Sequence, residues 1–272
     1  MARLTGAAWA NQLINISDGF QVSFKVWFCE FLFYFVPTKF AVTRASKTCP
    51  TSLGATLYCV GRGGHGFSFV VQRSVMGSQA IGAGFESLGY GGIDTSVAIE
   101  FDTWYDEQQE DLYDNHVAVQ TRGLLNPNSA HHMFALAWSS RVPELLDGKL
   151  HEVRIRYDPV FDDRLVHPGF CVDTMACGAL QSRLNLGVLY SEGNFARGLG
   201  TLWLFIDQFI TPVFIAPMQF DTLLNLTDGR ALMGFTASTG LIQWQVPEIR
   251  DWTICTNPPL NSTLPASCVT VL

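Results

Sequence analysis

Basic side chains are scarce in this 272-residue chain. Only 17 Lys and Arg stand against 24 Asp and Glu, and they are scattered along the sequence. Neutralising phosphate needs clustered cations, so no nucleic-acid partner is expected. Cys-x-x-Cys pairs are absent, which removes zinc-ribbon and thioredoxin-type readings. A Gly-x-x-x-x-Gly-Lys-Ser/Thr loop is absent too, although residues 61–92 are rich in glycine. Those glycines read instead as long turns that need positive φ. The strongest apolar run, Val26–Val36, is 11 residues with Glu30 inside it. That is too short to span a bilayer, so it reads as a core strand or an irregular insertion. The opening residues, MARLTGAAWANQ, hold no apolar core of signal-peptide length.

Helical periodicity is equally scarce. The apolar runs are short, β-branched and aromatic, and Gly or Pro punctuates them, as in a sandwich or barrel. GFQVSFKVWF alternates with period two, which puts Phe20, Val22, Phe24 and Val26 on one face. Segments 66–72, 96–104, 115–121, 149–158, 201–207, 231–239 and 249–254 read the same way. In HEVRIRY the polar His151, Arg154 and Arg156 are expected to interleave with Val153, Ile155 and Tyr157 on a half-exposed strand. Residues 159–200 show little pattern and read as loops.

The seven cysteines fall into neighbours in sequence. Three local disulfides are expected, Cys49–Cys59, Cys171–Cys177 and Cys255–Cys268, with Cys29 left over. Asn-x-Ser/Thr sequons begin at Asn15, Asn225 and Asn261. Together these favour an oxidising compartment, and with no leader in view the chain is expected to be part of a longer secreted protein.

Although the chain is only 15% charged, acidic and amide residues crowd SVAIEFDTWYDEQQEDLYDNHVAVQ, residues 96–120. On a strand, Glu100, Asp102 and Trp104 share one face while Ile99, Phe101 and Thr103 take the other. Neighbouring carboxylates persist if they are solvated, share a proton or hold a cation between them. A paired-carboxylate glycosidase of the bacterial laminarinase type would carry Glu-x-Asp-x-x-Glu, with two carboxyls about 5–5.5 Å apart. Tyr105 stands where the second glutamate is needed. A metal cage uses more of the residues: Glu100 and Asp102 on the strand, Asp106 and Asp111 in the loop, and His116 opening the next strand. Oxygen ligands suit Ca²⁺, and a set with one imidazole suits Mn²⁺ or a related ion.

The spacing of Glu100, Asp102, Trp104, Asp106, Asp111 and His116 resembles that of the legume (L-type) lectins and their relatives. GGHGFSFVVQ, LGYGGIDTSVAIEFDTW, LDGKLHEVRIRYDP and MGFTASTG…IRDW look like further strands of that family, and GAAWANQLINISDGFQVSF like its early ones. The likeness runs over roughly residues 5–255. It implies an all-β fold, a flattened antiparallel β-sandwich of the concanavalin A-like jelly-roll type, over residues 1–255, with 256–272 as a Pro/Ser-containing tail. It also implies a transition ion such as Mn²⁺ on Glu100, Asp102, Asp111 and His116. Ca²⁺ would be held by Asp102, the Trp104 carbonyl, Asp106 and Asp111.

The family's sugar contacts are altered here. His65 stands in place of an Asp that follows a cis peptide, Glu86 in place of a loop Gly, and Asp106 in place of an Asn; the stacking aromatic, Trp104, is kept. Neutral His65 offers one donor and one acceptor where an Asp offers only acceptors. Gln243, Trp244 and Gln245 stand as replacement contacts. The tandem His131 and His132 read as surface residues, since nothing acidic accompanies them at ligand spacing. The expected function is divalent-metal-dependent binding of glycans or glycoproteins, without catalysis, in the extracellular space or secretory pathway. The alternative is a lectin-like module that has lost monosaccharide binding and serves adhesion or structure.

Overall fold

The computed structural model of the chain describes residues 4–30, 64–124, 126–161, 199–240, 245–257 and 267–271. Thirteen strands among them form two antiparallel sheets. In chain order they are β1 (Thr5–Trp9), β2 (Ile14–Asn15), β3 (Phe20–Glu30), β4 (Gly66–Gln72), β5 (Ser96–Asp102), β6 (His116–Thr121) and β7 (Ala135–Ser139). Then follow β8 (Leu150–Asp158), β9 (Gly200–Ile206), β10 (Phe214–Met218), β11 (Arg230–Ser238), β12 (Gln245–Thr256) and β13 (Ser267–Thr270). One sheet runs β1-β11-β4-β5-β6-β7 with β2 beside β11; the other runs β10-β9-β8-β3-β12-β13.

Alternation along β3 builds the core. Phe20, Val22, Phe24, Val26 and Phe28 are all buried and face the other sheet. Phe24 meets Phe235 edge-on at 4.9 Å and Phe67 and Phe101 at about 6 Å, while Phe67 and Phe101 stack at 4.6 Å. Aromatic rings hold the two sheets together through area and edge-to-face geometry.

The expectation for β8 needs one correction. His151 lies on the inward face with Val153, Ile155 and Tyr157 and is buried, because period two pairs odd positions with odd. Its Nδ1 lies 2.8 Å from Asp207 Oδ2 and its Nε2 3.1 Å from Asp147 Oδ1, so two carboxylates satisfy the ring at the sheet's end. Cys255 on β12 is bonded to Cys268 on β13. The other two expected disulfides, and the end of the apolar run beyond Glu30, lie outside the described residues. No helix among the described residues is long and apolar enough to cross a membrane.

Strands β4, β5 and β6 are buried on both faces. Their inner residues enter the core. Their outer residues lie under loops 77–93 and 127–134, where Val70, Ala80, Leu88, Tyr90, Ile93, Ala98 and Ala130 form a second apolar cluster. This cover puts Glu100 and Asp102, which point outward, beneath protein instead of water. Gly66 fixes the pairing at the open end: its φ is +106°, and a Cβ there would land on the Phe101 carbonyl oxygen. Gly66→Ala is expected to cost about 2–5 kcal/mol from left-handed strain and overlap together. Denaturant unfolding should read that loss, and a variant as stable as wild type would show that the strands are not so tightly seated.

Candidate metal centre

Register places the acidic residues side by side. Asp102, the last residue of β5, faces Gly66 on β4 and His116 on β6, and Glu100 faces Ser68 and Ala118. The connection from β5 to β6 is tied by its own carboxylates. Asp102 Oδ1 accepts from the Trp104 N–H at 2.7 Å, Asp106 Oδ1 from the Gln108 N–H at 3.0 Å, and Asp111 Oδ2 from the Asp106 N–H at 2.8 Å. Each Asp thus uses one oxygen to shape the loop. Of the second oxygens, Asp111 Oδ1 points toward His116 and Asp106 Oδ2 toward His65.

The inner part of the group is dry. Glu100, Asp102, Asp111 and His116 are each no more than 5% exposed. Tyr90 Oη donates to Glu100 Oε2 at 2.6 Å and Gln120 Nε2 donates to Glu100 Oε1 at 3.0 Å, which holds that carboxylate in one orientation. His116 Nδ1 lies 2.8 Å from the Tyr113 carbonyl oxygen, an acceptor only, so Nδ1 carries a proton. Its Nε2 is therefore turned inward, 3.6 Å from Glu100 Oε1 and 4.0 Å from Asp111 Oδ1, buried and without a hydrogen-bond partner. Among the described residues no Lys or Arg forms an ion pair with any of the three carboxylates.

Three buried carboxylates with one imidazole for company cannot all ionise cheaply. Burial pushes the Asp102 carboxyl well above its usual range, the charges of Asp111 and Glu100 adding to it against His116 and the Trp104 N–H. Burial likewise raises Asp111 to about 7, with His116 and the Asp106 N–H opposing. For His116 burial alone would lower the value, but Glu100, Asp102 and Asp111 outweigh it and raise it to about 9. At 3.6 Å the His116–Glu100 contact is one of charge, too long for a hydrogen bond. The group is short of positive charge, and a divalent cation would supply it. The donor chemistry fits such an ion: carboxylate oxygens, and an imidazole whose outer nitrogen is tied to a carbonyl so that the inner one is presented.

Beside this group lies a shallower one. His65 Nδ1 is 4.0 Å from Asp106 Oδ2, and its ring is edge-on to Trp104 at 6.5 Å and to Phe85 at 6.3 Å. Glu86, in the short turn Phe85–Ser87, is close enough to act on the charge of His65. Burial lowers the His65 value against the pull of Asp106 and Glu86. Asp106, Trp104 and Glu86 thus all lie near His65. No cis peptide bond occurs among the described residues. Gln243 and Trp244 lie outside the described residues, as does the side chain of Gln245.

His132 departs from its expectation as a surface residue. It opens the turn His132–Phe134 ahead of β7, and its ring meets that of His116 at 6.2 Å. One donor atom each from Asp111, His116 and His132 lie within 4.8 Å of one another. Sequence spacing could not have found it, because its acidic neighbours come from β5 and the β5–β6 loop.

No protein-family model matches the chain. Solved structures that share its architecture include three lectins. The lectin from Bauhinia forficata in complex with GalNAc has a TM-score of 0.54 and 12% identity, covering 100% of this chain and 82% of that one. Peanut lectin with a nine-residue peptide has a TM-score of 0.52 and 15% identity, covering 99% and 83%. The exoplasmic/lumenal domain of VIP36, in its Ca²⁺/Man3GlcNAc-bound form, has a TM-score of 0.51 and 11% identity, covering 97% and 78%. At such identities the likeness concerns the fold, and the fold is that of a legume-lectin-like β-sandwich.

Proposed function

We propose that the protein is a divalent-cation-dependent, non-catalytic carbohydrate-binding module. One observation carries this reading: three buried carboxylates converge on a buried, unpartnered imidazole nitrogen with no Lys or Arg to balance them among the described residues. Ca²⁺ would take oxygens from Asp102, Asp106 and Asp111 and the Trp104 carbonyl, while Glu100, Asp102, Asp111 and His116 would hold a transition ion. Cations there would fix the loop that carries Trp104 and Asp106 and offset the charge beneath a bound sugar.

Glycans or glycoproteins are the partners this implies. Trp104 offers a face for sugar C–H groups, and His65, Glu86 and Asp106 offer hydrogen bonds around it; Gln243 and Trp244 would complete the rim. Asp106 in place of an amide loses a donor, and His65 in place of an aspartate changes the shape of the contact. The preferred sugar should therefore differ from those that the unaltered family pattern takes. A secretory or extracellular setting is supported by the Cys255–Cys268 bond and by the exposure of Asn15 and Asn225. A glycosidase role is disfavoured because Tyr105 stands where the second carboxylate is needed and is half exposed.

The second reading, an adhesion or structural module, is favoured by the seating of His65. Its side chain is only 13% exposed, and its Nδ1 is buried without a partner, which leaves little for a hydroxyl to reach. A glycan array in Ca²⁺ and again in EDTA separates the two. The leading reading predicts signals that vanish in EDTA; silence in both conditions across mannose-, glucose- and galactose-type ligands would leave the second.

A further inference from the structure

We propose that His132 is an additional protein ligand at the inner cation position, giving that site two imidazoles and a preference for Zn²⁺-like ions over Mn²⁺. The proposal rests on the reading of this group as a cation site and narrows which ion it takes.

Three features point to His132. Both of its ring nitrogens are shut off from solvent and neither has a hydrogen-bond partner. Such nitrogens seldom stay unpaired in a folded protein unless something else occupies them. The ring is held from two sides, edge-on to Trp138 at 5.0 Å and to His116 at 6.2 Å, so its direction is set by packing. Finally, its donor nitrogen falls within 4.8 Å of an Asp111 oxygen and a His116 nitrogen. Ligands at ~2.0–2.2 Å from a tetrahedral ion lie ~3.3–3.6 Å from each other, so side-chain shifts of up to about an ångström would close the set.

The chemistry follows from the donors. Glu100, Asp102 and Asp111 would bring oxygen, while His116 and His132 would bring nitrogen. Imidazole suits Zn²⁺, Cu²⁺ and Ni²⁺ better than Mn²⁺, and two imidazoles with carboxylate form a set that Zn²⁺ commonly takes. The outer position, built from carboxylate and carbonyl oxygens without imidazole, remains suited to Ca²⁺. The two positions would then sort ions by their nitrogen content.

The test is a competition titration of Zn²⁺, Mn²⁺ and Ca²⁺ into chelator-stripped protein, comparing wild type with His132→Ala and His132→Gln. Wild type should bind Zn²⁺ more tightly than Mn²⁺. Either variant should lose ~10–100-fold in Zn²⁺ affinity, the range that even an outer partner of a ligand costs, while Ca²⁺ affinity changes by less than about threefold. Co²⁺ as a spectroscopic probe adds a readout: its visible absorption should change in both variants if an imidazole leaves the ion. Circular dichroism identifies any variant that fails to fold, and the glutamine variant covers that case for alanine. Unchanged Zn²⁺ affinity and Co²⁺ spectrum in a folded variant would overturn the role of His132 while leaving the cation site intact. Absence of binding by any ion in wild type would instead remove the underlying reading, and this inference with it.

Discussion

Stripped of divalent cations, the protein should lose stability as pH rises from about 4 to 9, and Ca²⁺ should restore most of it at the alkaline end. The sign follows from the direction of the shifts. Asp102 and Asp111 are raised in the folded state, Asp111 to about 7, so the native chain binds more protons than the unfolded one above the ordinary carboxylate range. His116, raised to about 9, extends the same imbalance upward. Stability falls with pH wherever the native state holds the extra protons. The contribution of each group is complete below its unfolded value and is lost as pH passes through its folded value.

A bound cation reverses the trend, because it takes the place of those protons and its affinity improves as they leave. At a calcium concentration ~100 times the dissociation constant at pH 8, stabilisation should be ~2.7 kcal/mol. For a chain of this size that is a rise in Tm of about 5–10 °C. At pH 5 the same calcium should do much less. Thermal melts in EDTA and in calcium at the two pH values check this; an equal shift at both would show that the buried carboxyls do not hold the protons assigned to them.

The second large effect is expected at Asp102. It stands between Gly66 and His116 at the end of β5, and both cation positions draw on it. Asp102→Asn keeps an oxygen for the Trp104 N–H and so spares the loop, but it removes the charge. Divalent-cation affinity should fall by at least ~100-fold, the upper end of what an outer partner costs. The stripped variant should nevertheless melt no lower than stripped wild type at pH 8, since an uncompensated buried carboxylate has been replaced by a neutral amide. Asp102→Ala should lose cation affinity likewise, and some stability as well, because the Trp104 N–H then loses its acceptor. Asp102→Asn with wild-type affinity would place the cations elsewhere.

Much of the sandwich was legible where one face of a strand is apolar and the other polar. β3 and β8 reveal themselves through alternation, and β4, β5 and β6 through short runs rich in Val, Ile and Phe. β7 and β10 were harder. Ala135–Ser139 carries small residues, and Phe214–Met218 is buried throughout with Pro217 inside it, so neither alternates. β10 lies at a sheet edge, where a proline is tolerated. The misplacement of His151 had another cause. A polar residue reads as outward-facing, yet Asp207, 56 positions away, and Asp147 supply the partners that let it turn in.

The candidate site divides in the same way. Glu100, Asp102, Asp106, Asp111 and His116 fall within one hairpin, so their spacing in the chain is their spacing in space. His65, Glu86 and Trp104 gather around them because β4 pairs with β5 and the turn Phe85–Ser87 lies over that edge. His132 was invisible, since only the packing of its turn against β6 brings it to His116. The burial that gives the carboxylates their chemistry was also invisible. It comes from Tyr90 and the glycine-rich loop above them, whose sequence reads only as turns.

The central claim, that the β5–β6 hairpin is a divalent-cation site, is tested most directly by calorimetric titration of Ca²⁺ into chelator-stripped wild-type protein at pH 8. Saturable binding with at least one ion per chain, absent in Asp102→Asn, is the predicted result. No saturable binding in a folded wild-type protein would contradict it, and would mean that the buried carboxyls are held neutral by protons alone.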